Sequence, residues 1–238
     1  MNKPVERVPQ VPDPEQKPTT RGRVLNHAAG LYDILSPAMM FWQEQPINRK
    51  AAALLDIQPG DVILDVGCAT GGLAASMARY LDVESGGIAI GLDAAPEMVN
   101  VARSKRASAT CRFDIGVAED LPYSENCFDK AASSFFFHHV DLADKERALR
   151  EIYRVLRPGG VLVLADVDVP SGWFGRLCAR SGEWLFQQPE IGENIDGKLA
   201  PLFEPCGFIE PERIYSDLGY ISTWLMRKPS SSYTSSSG

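Results

Sequence analysis

The chain has 238 residues, of which 45% are hydrophobic and 23% charged, a composition typical of one globular domain with a sizeable core. Its 24 Lys and Arg against 31 Asp and Glu give a net charge of −7, which disfavours nucleic acid as a partner. The 5 cysteines include no C-x-x-C pair, which argues against a disulfide framework and indicates a reducing compartment, so we expect a cytoplasmic protein.

The two ends of the chain are predicted to be tails. Residues 1–21 carry prolines among charged residues, so this segment is expected to be disordered. Residues 229–238 are rich in serine, have almost nothing to bury and are predicted to be flexible. One domain is therefore predicted over residues 22–228. No apolar run approaches the roughly 18 to 20 residues of a membrane-spanning helix, and no signal peptide is predicted.

The first half of this domain shows two helical patterns followed by an alternation of strands and helices. The two helices are predicted at 26–42 and 47–55. Strands are predicted at 62–66, 87–93, 112–117, 130–137 and 161–166, and helices at 73–81, 96–104 and 145–156. Strands that alternate with helices form a parallel sheet covered on both faces, which explains why the run Val62–Val66 is almost entirely apolar. We expect a doubly wound, Rossmann-like α/β fold.

The alternation stops for about forty residues after the fifth strand, and we interpret residues 167–208 as a lid inserted into the domain. Aromatic residues between Trp173 and Phe186 either line an apolar ligand pocket or form the packing core of the lid itself. A turn-rich piece is predicted at 188–194 and a helix at 198–205.

The chain ends with two strand patterns, at 209–215 and 220–226. Only Ser216-Asp217-Leu218-Gly219 connects them, a length that favours an antiparallel hairpin. The complete prediction is a seven-stranded, mostly parallel sheet with this hairpin at its edge.

The residues at the strand exits predict the kind of ligand, because ligands of open parallel sheets bind beyond the carboxyl ends of the strands. The first strand runs into Asp65-Val-Gly-Cys-Ala-Thr-Gly-Gly72, whose spacing does not match the G-x-G-x-x-G of dinucleotide sites. The carboxylate of Asp65 is unfavourable beside a pyrophosphate and favourable beside a cation. Asp93 ends the second strand, where an acidic side chain can accept hydrogen bonds from both hydroxyls of a ribose. We therefore predict a nucleoside ligand with a positive charge and no phosphates.

Four segments in succession then resemble the motifs of class I S-adenosylmethionine-dependent methyltransferases, in particular the branch of the ubiquinone/menaquinone C-methyltransferases. They are Asp65-Val-Gly-Cys-Ala-Thr-Gly-Gly72, Gly91-Leu-Asp-Ala-Ala-Pro-Glu-Met98, Ala118-Glu-Asp-Leu-Pro-Tyr123 with Asn126-Cys-Phe-Asp129, and Arg154-Val-Leu-Arg-Pro-Gly-Gly160. The resemblance covers residues 22–228. It implies an enzyme that uses S-adenosylmethionine to methylate a small-molecule acceptor.

The resemblance also implies a set of cofactor-binding residues. These are Asp65, Gly67, Cys68, Ala69, Gly71, Asp93, Ala94, Met98, Ala118, Glu119, Ser133 and Ser134. The glycine turn at 67–71 is expected to hold the methionine part with Asp65 nearby, and Asp93 is expected to bind the ribose hydroxyls. Ala118 and Glu119 are expected along the adenine, with Ala94 and Met98 on either side of it. The exit of the fourth strand, 133–139, is expected to face the methyl group and the acceptor.

The sequence departs from the family's pattern at three places. The middle glycine of the turn is Ala69, for which we expect a negative φ. Val117 stands where the family often has an Asp that accepts a hydrogen bond from the adenine amino group, so Glu119 or backbone groups are expected to take that role. The fourth strand continues into Phe135-Phe-Phe-His-His-Val140, whereas the quinone enzymes typically have Phe-Gly-x-Arg-Asn there, so their acceptor is not transferred to this chain.

Three residues are candidates for catalysis: His138, His139 and Tyr32. One histidine can act as the general base that takes the acceptor's proton while the other is packed, although an acceptor that is already an anion needs no base. Tyr32 either closes over the cofactor, as the resemblance implies, or is a core tyrosine. Cys68 is interpreted as a small buried side chain. The cysteines lack metal-ligand spacing, so no metal site is predicted.

Two other functions remain open on the sequence. The chain could be a regulatory or partner subunit that binds the cofactor without turnover of its own, a hypothesis that Ala69 and Val117 favour. A nicotinamide-dependent oxidoreductase is disfavoured by the spacing of the turn. The acceptor, the methylated atom and the oligomeric state are not predicted.

Overall fold

The structure is a computed structural model that describes residues 8–10, 42–173 and 189–231. Its helices are α1 (Trp42–Leu54), α2 (Gly72–Ala78), α3 (Pro96–Arg106), α4 (Leu142–Val155) and α5 (Pro189–Ile195). Its strands are β1 (Val62–Val66), β2 (Ile88–Asp93), β3 (Cys111–Ile115), β4 (Phe128–Ser134), β5 (Leu156–Val167), β6 (Ile209–Asp217) and β7 (Ile221–Arg227). Two 3₁₀ turns lie at Phe137–His139 and Ala200–Leu202. Within the described residues, no helix is both long and apolar enough to cross a membrane.

The seven strands form one sheet in the order β3-β2-β1-β4-β5-β7-β6. Strands β1 to β5 pair in parallel, whereas β7 is antiparallel to both β5 and β6. The predicted doubly wound sheet with an antiparallel C-terminal hairpin is confirmed. Because β1 lies between β2 and β4, the connections on its two sides diverge, and a crevice opens at its carboxyl end.

Helices cover both faces of the sheet, and the side chains of β1 alternate between the two layers. Val62, Leu64 and Val66 pack in one core cluster with residues of α4. Ile63 packs on the opposite face, in a cluster with residues of α1, α2 and α3. All five residues of β1 are buried, as expected of a strand covered on both faces.

The fourth strand is shorter than its sequence predicts. It ends at Ser134 instead of residue 137 because Phe135 has a φ of 56°, and an extended strand requires negative φ. The chain then enters the 3₁₀ turn Phe137–His139. The segment with both histidines is therefore a tight turn above the strand end.

Three boundaries in the second half also differ from the predictions. The predicted helix at 198–205 is wrong: only the turn Ala200–Leu202 forms, in a segment where Pro201 and Pro205 lack an amide donor. The predicted turn-rich piece 188–194 instead contains α5, with Pro189 at its first position, where the missing amide costs nothing. Helix α4 ends at Val155, and β5 begins at Leu156 instead of residue 161, so that Pro158-Gly159-Gly160 lies inside the strand, next to a register shift against β4.

Several predictions fall on residues that the structure does not describe. These include the helix at 26–42, Tyr32, most of the tail at 1–21 and the aromatic residues of 174–188. Of the first tail, residues 8–10 are described, and the guanidinium of Arg112 donates a hydrogen bond to the Pro9 carbonyl at 3.0 Å.

Candidate functional site

Polar side chains gather where the parallel strands end. The strand register places Asp65 opposite Gly91, Asp93 opposite Ile115, and Ser134 opposite Ala165, which precedes Asp166. The carboxyl ends of β2, β1, β4 and β5 thus lie side by side at one edge of the sheet. Asp65, Asp93 and Ser134, which the sequence placed at separate strand exits, therefore lie at the same edge of the sheet.

Asp65 is buried beneath the glycine turn, with 1% of its surface exposed. One carboxylate oxygen accepts a hydrogen bond of 2.9 Å from the backbone amide of Ala74 in α2. Burial, together with the negative charges of Asp93 and Glu44, raises the pKa of Asp65 to about 7. A cation at the turn would stabilise the charged form of this carboxylate.

Asp93 closes the glycine turn. Its Oδ2 accepts a hydrogen bond from the amide of Ala69 at 2.8 Å, and its Oδ1 accepts one from the amide of Ala95 at 2.9 Å. Burial raises the pKa of this carboxyl as well. Each carboxylate oxygen has a second lone pair, so these bonds leave capacity for two ribose hydroxyls.

The expectation of a negative φ at Ala69 is wrong. Its φ is 45°, in the left-handed region, between Gly67 at 73° and Gly71 at 85°. The hydrogen bond that Ala69 donates to Asp93 holds this residue in a conformation that costs an alanine about 1 to 2 kcal/mol. Ala69 therefore takes a conformation that a glycine would adopt without strain.

Most amides of the turn already have partners within the protein. Gly67 and Cys68 both donate to the Leu92 carbonyl, at 2.9 and 3.0 Å, and Gly71 donates to the Cys68 carbonyl at 2.7 Å. Together with the bond from Ala69 to Asp93, this uses the donors with which a glycine turn normally binds a diphosphate. In the described part of the chain, the carboxylates of Asp65 and Asp93 outnumber the one guanidinium at the turn, that of Arg106, so the turn suits a cationic ligand.

The two glycines of the turn are required by neighbouring aromatic rings as well as by their positive φ. A Cβ on Gly67 would lie 2.6 Å from the side chain of Phe136, and a Cβ on Gly71 would overlap the ring of Phe113. The exit of β4, which carries Phe136, is thereby packed directly on the turn.

The residues predicted along the adenine follow β2 and β3: Ala94 comes directly after β2, Met98 lies at the start of α3, and Ala118 and Glu119 come after β3. Ala94, Met98 and Glu119 are half-buried, and Ala118 is buried. Cys68 is 6% exposed, and burial with the nearby charges of Asp65 and Asp93 raises the pKa of its thiol well above the usual value. A neutral, buried thiol fits the interpretation of Cys68 as a packing residue.

The two serines at the end of β4 differ in their hydrogen bonds. The hydroxyl of Ser133 donates to the Val66 carbonyl at 2.9 Å and ties β4 to β1. The hydroxyl of Ser134 is buried and has no hydrogen-bond partner among the described residues. Ser134 therefore keeps its hydrogen-bonding capacity for a ligand in the crevice.

The two histidines have different surroundings. His138 is 3% exposed, and its Nδ1 lies 2.6 Å from Oδ1 of Asp166. His139 is half-buried, and its ring centre lies 3.9 Å from that of His138. The pair thus consists of one packed, oriented imidazole and one more accessible imidazole.

Asp166 is a site residue that the sequence reasoning missed. Besides His138, it accepts hydrogen bonds of 2.7 Å from the backbone amides of Phe137 and Val167. The signal was present, because Asp166 is an acidic residue at the end of a strand, like Asp65 and Asp93. Two further missed residues, Glu44 and Asn48, lie on α1 beside Gly72.

Helix α5, at the end of the predicted lid segment, is fixed beside the histidine turn. The buried ammonium of Lys145 lies 2.6 Å from a carboxylate oxygen of Glu193 and also donates to the Glu190 carbonyl at 3.2 Å. The side-chain amide of Asn194 donates to the Val167 carbonyl at 3.1 Å. Polar contacts therefore fasten α5 to α4 and to the end of β5.

Comparison with known proteins identifies the family. Residues 64–164 match the family described as "Methyltransferase domain". A demethylmenaquinone methyltransferase of Symbiobacterium thermophilum is 33% identical, over 90% of this chain and 94% of its own length. A ubiquinone/menaquinone biosynthesis C-methyltransferase of Hydrogenovibrio crunogenus is 35% identical, over 66% of this chain and 61% of its own length. The chain belongs to the class I S-adenosylmethionine-dependent methyltransferases, in the ubiquinone/menaquinone branch.

The solved structures agree with this fold. Phosphoethanolamine N-methyltransferase 2 of Haemonchus contortus, in complex with S-adenosyl-L-methionine, superposes with a TM-score of 0.61 at 19% identity, over 77% of this chain and 52% of its own. S-adenosylmethionine is the cofactor of this methyltransferase, and its acceptor is a small molecule. The turn and its carboxylates fit that cofactor, because they offer negative charge to a sulfonium and few amides to a phosphate.

Proposed function

We propose that this methyltransferase acts in the cytoplasm, without a nucleic acid partner, on a small molecule held between the exit of β4 and the segment 167–208. Residues 22–228 form its single domain, with 167–208 as the lid. The observation that carries the proposal is the convergence of two carboxylates on one left-handed turn: Asp93 accepts the amide hydrogen bond of Ala69 in the turn, and Asp65 accepts that of Ala74 in the helix that follows it. Demethylmenaquinone, named in the relatives, is the first acceptor to assay, although Phe135–His139 replaces the quinone enzymes' usual sequence.

The proposed cofactor-binding residues act by charge and by shape. Asp93 accepts hydrogen bonds from the ribose hydroxyls, while Asp65 and the turn at 67–71 hold the methionine part. Ala94, Met98, Ala118 and Glu119 enclose the adenine, and Ser134 donates its unpartnered hydroxyl. When bound, the cofactor supplies a methyl group on a positively charged sulfur, so the protein has to align the acceptor and exclude water.

We further propose that His139 removes the acceptor's proton. Its partial exposure supports contact with an acceptor, whereas the burial of His138 and its contact with Asp166 support an orienting role. Tyr32, outside the described residues, is proposed to close over the cofactor.

Isothermal titration with S-adenosylhomocysteine tests the cofactor site. We expect micromolar binding to the wild type and its loss in Asp93→Ala, because this change removes the acceptors for both ribose hydroxyls and releases the turn. Glu97→Ala is the matched control, since Glu97 is an exposed acid in the first turn of α3. Undiminished binding by Asp93→Ala would remove the assignment.

A further inference from the structure

Helix α1 places two polar side chains over the start of α2. Glu44 and Asn48 are four residues apart and therefore lie on the same face of α1. A Cβ on Gly72 would lie 3.4 Å from the Asn48 side-chain nitrogen and 3.5 Å from a carboxylate oxygen of Glu44. Gly72 directly follows the turn at 67–71, so both side chains border the end of the crevice at which the methionine part is expected.

The side chain of Asn48 has an unused acceptor in this place. Asn48 is 3% exposed, and its Oδ1 has no hydrogen-bond partner among the described residues. A buried acceptor that is left unsatisfied destabilises the protein, so such an atom points to a donor that a ligand supplies.

The charges around Gly72 favour a cationic donor. Burial raises the pKa of Glu44, while the amide of Asn48 and the charge of Arg106 lower it. The guanidinium of Arg106 donates to the Thr70 carbonyl at 2.8 Å. Glu44 in turn raises the pKa of Asp65, which shows that the two carboxylates act on each other. Three carboxylates therefore share this region with one guanidinium.

We propose that Glu44 and Asn48 bind the α-ammonium group of S-adenosylmethionine, whose N–H groups donate to the carboxylate of Glu44 and to Oδ1 of Asn48. This inference rests on the proposed cofactor site and adds residues to it. An ammonium group matches both observations at once, because it carries the missing positive charge and up to three donors. It also makes α1 a determinant of specificity for nucleosides that retain the amino acid.

Two ligands separate this role from a general effect on the site: S-adenosylhomocysteine and its deaminated analogue, in which only the ammonium group is missing. In isothermal titration, Glu44→Gln is expected to lower the affinity for S-adenosylhomocysteine about 10- to 100-fold, which is the loss typical of a hydrogen bond to a charged group. The analogue is expected to bind Glu44→Gln and the wild type equally, within about twofold. Asn48→Leu is expected to show the same pattern with a smaller loss.

Glu97→Gln, at an exposed position, is the control and should bind both ligands like the wild type. Equal losses for the two ligands, or no loss for either, would overturn the assignment of Glu44. Thermal melting of each variant shows whether a loss of affinity comes from unfolding, which would lower the affinity for both ligands alike. If the wild type binds neither ligand, both the proposed cofactor site and this inference are wrong. If the wild type binds S-adenosylhomocysteine and Glu44→Gln binds it equally well, only the inference is wrong.

Discussion

Ala69 has a backbone conformation that is unfavourable for an alanine. A glycine would adopt a φ of 45° without strain, whereas an alanine places its Cβ close to a carbonyl oxygen. This strain is offset by Asp93, which lies 24 residues further along the chain and accepts a hydrogen bond from the amide of Ala69. The sequence could predict the turn from its flanking glycines, but not this φ, because a long-range hydrogen bond decides it.

Ala69→Gly is therefore expected to stabilise the protein by about 0.5 to 1 kcal/mol, since relief of the left-handed strain exceeds the added entropy of the unfolded chain. Chemical denaturation measures the difference. Ala75→Gly, inside α2, is the control and should destabilise by about 1 kcal/mol, because there the alanine has an ordinary helical conformation. A loss of similar size in Ala69→Gly would contradict a positive φ.

At the carboxyl end of β4, the structure that the local sequence predicts differs from the structure that tertiary contacts impose. Ser133-Ser-Phe-Phe-Phe137 has the aromatic content of a strand, and its pattern predicts one up to residue 137. The acceptors of Asp166 instead hold the amide of Phe137 and the imidazole of His138 in a tight turn. No pattern within residues 130–140 contains this information, because the acceptor belongs to the next strand.

Asp166→Asn tests this arrangement. In the wild type, one oxygen of Asp166 accepts from the amide of Phe137, and the other accepts from the amide of Val167 and contacts His138. A side-chain amide has only one acceptor oxygen, so in the variant an –NH₂ group replaces one of these two oxygens. We expect a loss of about 1 to 3 kcal/mol in the free energy of unfolding and faster hydrogen exchange at the amide of Phe137 or Val167.

Asp168→Asn is the control for Asp166→Asn. Asp168 is also buried beyond the end of β5, but the described contacts of its carboxylate are with Arg213, at 3.9 Å, and not with the turn. Hydrogen exchange that stays slow at both amides in Asp166→Asn would show that the turn does not depend on this carboxylate.

At the scale of the molecule, the regular alternation of strands and helices was sufficient to predict the sheet and the edge at which the site lies. The prediction failed where that alternation stops. At 188–194 it missed α5, which Lys145 holds from a distant helix, and at 198–205 it placed a helix in a segment that contains Pro201 and Pro205. The charge at the site was predicted only in part. Asp65 and Asp93 could be recognised because they are acidic residues at strand ends. Glu44 lies on a helix that precedes the sheet, and it comes close to Gly72 only because α1 packs on α2.

This collection of buried carboxylates predicts a pH dependence of stability in the cofactor-free protein. The pKa of Asp65 is about 7 in the fold and 3.8 in its ordinary state, so the folded protein binds more protons than the unfolded chain between these values. The contribution of Asp65 to stability is therefore greatest below pH 4 and is lost as the pH rises towards 7, at about 1.4 kcal/mol per pH unit. Asp65→Asn does not titrate, so its stability relative to the wild type should rise by about 2 to 3 kcal/mol between pH 5 and pH 8.

Urea denaturation of the wild type and the variant at the two pH values measures this difference. Asp82→Asn is the control: Asp82 is exposed, and its hydrogen bonds with Ser85 lower its pKa below 3.8, so it stays ionised throughout the range and its relative stability should not change. A constant difference for Asp65→Asn would mean that Asp65 is ionised at pH 5. The site would then need no ligand cation to stabilise that charge.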